Sequence, residues 1–263
     1  GKGEKIFIIL DASGHMMVDE MGGIRAYTLI KEELVRILEG LNPAVLFNIA
    51  VYGGGDYTLF PGLVPASPAN VAKVEPWLEP LNAVTQGMGD TDYGAKTLGP
   101  GGIPIQVSTH VKPLRGEVGS WVRPTMLAME QQADTVFLLA STWDWLTYQV
   151  APAKPWSKSK LERWKRMVEK AHEMHRQENE QRRERSEPPR VITGGDLGLV
   201  ATYLPGEPHP PLPEFKGYTT KEMCEAFNTK WAMHKPQKIA RKSGISKKKS
   251  KGQYSLNVIH FTP

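Results

Sequence analysis

The chain has 263 residues, 40% of them apolar and 23% charged, a balance that suits one large globular core. No run approaches the roughly 18 apolar residues of a membrane span, and the one cysteine, Cys224, excludes an internal disulfide framework and a cysteine-based zinc cluster. The net charge of +5 is local: Lys235 to Lys251 holds eight Lys or Arg and no acid, and removing those eight charges from +5 leaves −3, so attraction to an anionic partner is confined to that segment.

The chain opens GKGEKIFIIL, whose apolar run is too short and too strand-like for a secretory signal peptide. That start reads as an excised piece, which leaves open a leader or anchor upstream and, with it, a periplasmic or membrane-anchored location. Lys5 to Leu10 is predicted as a buried parallel strand, and ILDASGHMM places Asp11, Ser13 and His15 where it ends. Open α/β sheets bind ligands in the crevice at the carboxyl ends of their strands, so these three side chains hold a favoured position. Ile24, Tyr27, Leu29, Ile30, Leu34, Ile37 and Leu38 form a helical stripe that ends near Gly40. Val45 to Gly55 (VLFNIAVYGGG) reads as a second strand with DYTLFPGL as its short hairpin partner. Strand, helix, strand in this order implies a right-handed crossover and a parallel pair. A further helix begins with Ser67 as N-cap and Pro68 at the first helical position.

Residues 86–119 are rich in Gly, Pro, Thr and Asp and are expected to form a loop insertion near the ligand edge. RPTMLAMEQQA reads as a helix and DTVFLLAS (Asp134 to Ser141) as a strong strand. Residues 157–187 are predicted as one long helix, stopped by Pro188 and Pro189 and carrying a narrow stripe of Leu161, Trp164, Val168, Ala171 and His175. Its first half is expected to dock through Leu161, Trp164 and Val168. Past Asn179 it is charged on every side, and Glu178 to Glu187 are expected to project into solvent. Arg190 to Leu204 reads as strand material, Pro205 to Pro213 as a loop, TTKEMCEAFNTKWAMH as a short helix, 235–252 as a basic loop and Tyr254 to Phe261 as a closing strand. Residues 1–263 are expected to form a single domain.

FIILDASGHMM, LFNIAVYGGG and DTVFLLAS, in that order, resemble the von Willebrand factor type A domain of bacterial type from Lys5 to Ser141, and more loosely to the C-terminus. The first segment is similar to the family's strand followed by D-x-S-x-S, the last to its strand that ends in T-D-G. The resemblance implies an α/β fold with a doubly wound, mostly parallel sheet flanked by helices, Rossmann-like in layout. In that family an aspartate and two serines of one loop, a threonine of a second and an aspartate of a third hold Mg²⁺ or Mn²⁺ in an octahedron of oxygens. Here Asp11 and Ser13 match, but His15 stands at the second serine position. Gly119, Ser120 and Trp121 align with the family's G-G-T, and Ser141 aligns with the third-loop aspartate, Asp144 lying three residues later. Two oxygens with one formal charge are too few to displace several waters from Mg²⁺, so no cofactor is expected. Asp11 then serves as a cap on the turn that follows. The alternative is a site rebuilt around Asp11 and Ser13 that recruits Asp90, Asp92 or Asp144 to hold Mg²⁺ or Mn²⁺.

Other motifs are weak. GDTDYGAKT has Ala95 inserted between the glycine and lysine of a phosphate loop, which displaces Lys96 and Thr97. HEMH puts His172 and His175 at i and i+3 without an obvious third zinc ligand. Ser13 and His15, two apart in one tight turn, do not present a base to a nucleophile, so hydrolysis is not expected. Lys247, Lys248 and Lys249 in the basic loop suit an anionic partner, but no interleaved aromatics stack bases, so nucleic acid is not expected. His15, Trp121, Ser141, Trp143, Asp144 and Trp145 are expected to gather on the rim of the degenerate site, where tryptophans either anchor a partner or plug the vacated space. The resemblance therefore implies a non-catalytic protein-interaction module. The runner-up is a divalent-metal-dependent adhesion or assembly domain, and third comes a binder of anionic partners through the basic loop.

Overall fold

The computed structural model describes residues 4–83, 93–106, 114–141, 146–226 and 255–260. In chain order they form β1 (Lys5–Asp11), α1 (Gly23–Glu39), β2 (Leu46–Tyr52), β3 (Tyr57–Thr58), β4 (Val64–Pro65), α2 (Pro68–Val71), α3 (Val74–Leu78) and β5 (Ile103–Pro104). There follow α4 (Val122–Glu130), β6 (Thr135–Ala140), β7 (Thr147–Ala151), α5 (Lys158–Glu184), α6 (Gly195–Tyr203), β8 (Glu214–Gly217), α7 (Thr220–Ala226) and β9 (Ser255–His260).

Seven strands make the main sheet, in the order β5-β3-β2-β1-β6-β9 with β4 also on β2. β1 pairs in parallel with β2 and with β6, and β6 in parallel with β9. The short strands β3, β4 and β5 add antiparallel at the other edge. The fold is thus mixed α/β, with a mostly parallel central sheet flanked by helices. A strand bonded on both sides must be covered on both faces, which is why KIFIILD is almost continuously apolar. Its side chains alternate. Ile8 and Leu10 join α1 and α3 in one core with Tyr27, Leu34, Phe47 and Trp77. Phe7 and Ile9 join α4 and α7 in the other with Val122, Met126, Leu138 and Met223.

α1 departs from its expected stripe. Ile24, Tyr27, Leu34 and Leu38 are buried, but Leu29 and Ile37 are exposed. Both border an apolar groove of about 540 Å³ between α1 and the strands, floored by Ile6, Ile8, Phe137 and Leu139. Between the expected apolar positions lies a buried cation. Lys31 donates from Nζ to the carbonyls of Glu79 and Leu81, each at 2.7 Å, and so ties α1 to the chain leaving α3.

Residues 146–217 depart further. Arg190 to Leu204, expected as strand, makes one bridge between Val191 and Val18 and then forms α6. Its apolar side chains recur at helical spacing, and Leu199 and Val200 pack with Trp164, Met167 and Ala171 of α5 into a third core. Trp164 and Val168 therefore pack on α6 rather than on the sheet, and Leu161 is exposed. Most of Glu178 to Glu187 is exposed as expected, but Glu178, Asn179 and Arg182 are partly buried. Arg182 pairs with Asp19 of the loop after β1, and Glu178 with Arg182 and Arg190, because a helix charged on every side can satisfy those charges on a neighbour as well as in water. β7 and β8 form a separate two-stranded sheet that the sequence did not suggest.

Two outcomes check this packing. Trp164→Ala, followed by circular dichroism in urea, is expected to cost about 3 kcal/mol by leaving a cavity, and Leu161→Ala less than about 0.5 kcal/mol. Burial holds the Lys31 amine down at about 8, against the opposing pull of Glu79 and Glu32. The unfolded chain, with an ordinary lysine, then binds more protons between pH 8 and about 10.5, so this group's contribution to stability rises with pH across that window, by about 1–2 kcal/mol. Urea midpoints at pH 8 and pH 10 should show that rise in the wild type and lose it in Lys31→Met.

Candidate functional site

The carboxyl ends of β1, β2 and β6 meet at Asp11. Register places Asp11 beside Tyr52, the last residue of β2. The Asp11 carboxylate is 3% exposed, so it must collect donors from the chain itself. Its Oδ1 accepts from the Ser13 amide at 2.8 Å. Its Oδ2 accepts from the Ser141 hydroxyl at 2.9 Å and from the Ser141 amide at 3.3 Å. The Tyr52 hydroxyl faces the same carboxylate, and burial first, then the negative charge of Asp11, push its pKa up. On the main-chain side, the Tyr27 hydroxyl of α1 donates to the Asp11 carbonyl at 2.9 Å, its own pKa raised mainly by burial and then by Asp11. Asp11 therefore caps its own turn and joins β1 to β6.

Neighbouring loops close tightly around this point. The ideal Cβ of any residue replacing Gly53, whose φ is +93°, would fall 2.5 Å from the Ser13 amide nitrogen. Asn82, fully buried, donates from Nδ2 to the Ala12 carbonyl and accepts from the Gly94 amide at Oδ1. The Thr97 hydroxyl donates to the Gly94 carbonyl and accepts from the Asn82 amide, so the phosphate-loop-like segment uses its own hydroxyl internally. Asp56 accepts from the Gly119 amide at both carboxylate oxygens, and burial raises its pKa. Glu117, held by Arg123, accepts from the Leu114 amide and fixes the same loop.

Among the expected rim residues, His15 is exposed and Ser13 partly so. Trp121 presents no ring to solvent: at 5% exposure it packs with Val122 and Met126 in the core that holds Phe7 and Ile9, where burying a large ring outweighs exposing it. Ser141 also leaves the rim, because its hydroxyl is spent on Asp11. Trp143, Asp144, Trp145, Asp90, Asp92, Lys247, Lys248 and Lys249 lie outside the described residues. Among the described residues no group of three His, Cys, Asp or Glu side chains is placed to hold a metal ion. Sequence reasoning missed Tyr27, Tyr52 and Asn82. Tyr52 was within reach of it: aligning the two predicted strands in parallel puts a phenol level with Asp11.

No protein-family model and no curated protein matches the chain. Among the described residues no helix is long and apolar enough to cross a membrane.

Removing the Ser141 hydroxyl takes one donor from a buried carboxylate, which should cost about 1–2 kcal/mol in Ser141→Ala. Ser141→Asp sets two carboxylates at hydrogen-bonding distance and should cost more. Thermal melts at pH 7 are expected to rank wild type above Ser141→Ala above Ser141→Asp.

Proposed function

We propose that this chain is a von Willebrand factor type A-like module with a degenerate metal site, one that binds a protein partner without catalysing a reaction. The observation that carries this reading is the donor set of Asp11. In the family the chain resembles, the equivalent aspartate faces a cation that other acidic and hydroxyl side chains share. Here serine stands where the third loop would bring a second carboxylate, and a direct Ser141 to Asp11 hydrogen bond fills the role of the ion. Ser13, the other matching position, contributes its amide to the same carboxylate. These residues do not fit Mg²⁺ or Mn²⁺: binding either ion would strip Asp11 of donors it already has in exchange for two ligands on a cation that sheds water reluctantly.

A module that has given up its ion still presents the end of its sheet. His15 lies exposed there on the loop after β1, where its imidazole can hydrogen-bond a partner carboxylate.

Titrating Mg²⁺ or Mn²⁺ into the protein in a calorimeter should give no binding heat up to millimolar concentration. Saturable heat with a dissociation constant below a millimolar would replace this reading with the metal-dependent one. In pull-downs, His15→Ala should weaken capture of a partner by about tenfold, roughly 1.4 kcal/mol. Equal capture by wild type and variant removes the rim from the binding surface.

A further inference from the structure

The long helix and α6 form a unit with its own core, made of Trp164, Met167, Ala171, Leu199 and Val200, separate from the two cores that sandwich the sheet. What holds this unit to the loop after β1 is small: Val191, buried in the same core as Met16 and Met17, and otherwise mostly charges. Val18 and Val191 make a single parallel bridge. Asp19 pairs with Arg182 and, at 3.7 Å, with Arg190. Glu178 pairs with the same two arginines at 3.0 and 3.2 Å and accepts from the Tyr203 hydroxyl at 2.7 Å. Two acids and two bases thus close a balanced cycle in which only Asp19 belongs to the loop. The side chains are between 17% and 36% exposed, buried enough to strengthen the pairs and open enough for salt to screen them. Below the cycle, an ideal Cβ on Gly14 would fall 3.4 Å from Cγ2 of Thr193, so the unit lies directly on the turn that carries Ser13 and His15.

We propose that the α5–α6 unit is a latch, held by the Asp19–Arg182–Glu178–Arg190 cycle on the loop that follows β1, and that opening it frees this loop. Removing one arginine leaves two carboxylates sharing one cation, which favours the open state. The device controls the rim assigned above as the partner surface and depends on that reading for its purpose, but its mechanics stand apart from any partner.

Amide hydrogen exchange read by NMR tests it on the whole chain. The reporters are Met21, Gly22 and Gly23, whose amides bond the carbonyls of Val18, Asp19 and Val18, and the controls are Ile8 and Ile49 in the central strands. Arg182→Gln and Arg190→Gln should each speed reporter exchange about tenfold and leave the controls unchanged. Wild type in 1 M NaCl should move the same way, which needs no substitution. Arg36→Gln, which breaks an exposed pair with Glu33 on α1, should change nothing at the reporters. Unchanged reporters in both variants and in salt, or reporters and controls rising together, overturn the latch. If the latch behaves as expected while His15→Ala leaves partner capture intact, the rim reading fails and the latch survives.

Discussion

A carboxylate buried at the end of a central strand has to be answered by donors, and around Asp11 that requirement organises the top of the sheet. Its two oxygens draw in the turn after β1 and the residue after β6, while its carbonyl receives Tyr27 from α1. Three structural units thereby converge on one residue. Losing a donor costs more than a typical surface contact, because the charge stays behind in a place water cannot reach. The same demand explains why serine suits the end of β6: a hydroxyl can donate to Asp11, whereas a second carboxylate needs a cation between the two.

The parallel strands and α1 were legible because runs such as FIIL and VLFNIAV have few other places to go, and because one helix between them leaves a single handedness. What the sequence hid was decided by neighbours. Arg190 to Leu204 carries the Val, Leu and Tyr of a strand, yet Gly194 and Gly195, both at positive φ, turn the chain into a helix that buries Leu199 and Val200 on α5. Trp121 was placed on the rim by its alignment with the G-G-T position, as anchor or plug, and only the path of α4 reveals that it lies inward. The charged half of α5 gave no hint of its partners, for a pattern of Glu and Arg is the same whether water or Asp19 answers it. Asp11, Ser13 and Ser141 were found from their positions at strand ends, but Tyr27 and Tyr52, which also face Asp11, come from α1 and β2 and belong to no motif.

The molecule divides its apolar material unequally. The sheet has two cores, one per face, and the α5–α6 unit has a third, joined to the rest by charges, by one bridge and by Val191, which reaches the core on the α1 face. Charged attachments are set by geometry and by salt, whereas apolar cores are set by volume. Separate cores joined by ion pairs can therefore shift relative to each other at little cost in packing.

The position of β9 has a consequence for synthesis. β6 pairs on one side with β1, which precedes it, and on the other with β9, which the ribosome delivers only after β7, α5, α6, β8 and α7 have all emerged. The helices of that interval make mostly local contacts and can condense early, since short loops close fast. Throughout that time β6, with its TVFLLA sequence, remains an open edge strand of high β-propensity. The edge of β6 thus stays open until β9 emerges, and slowed translation between the two prolongs that exposure.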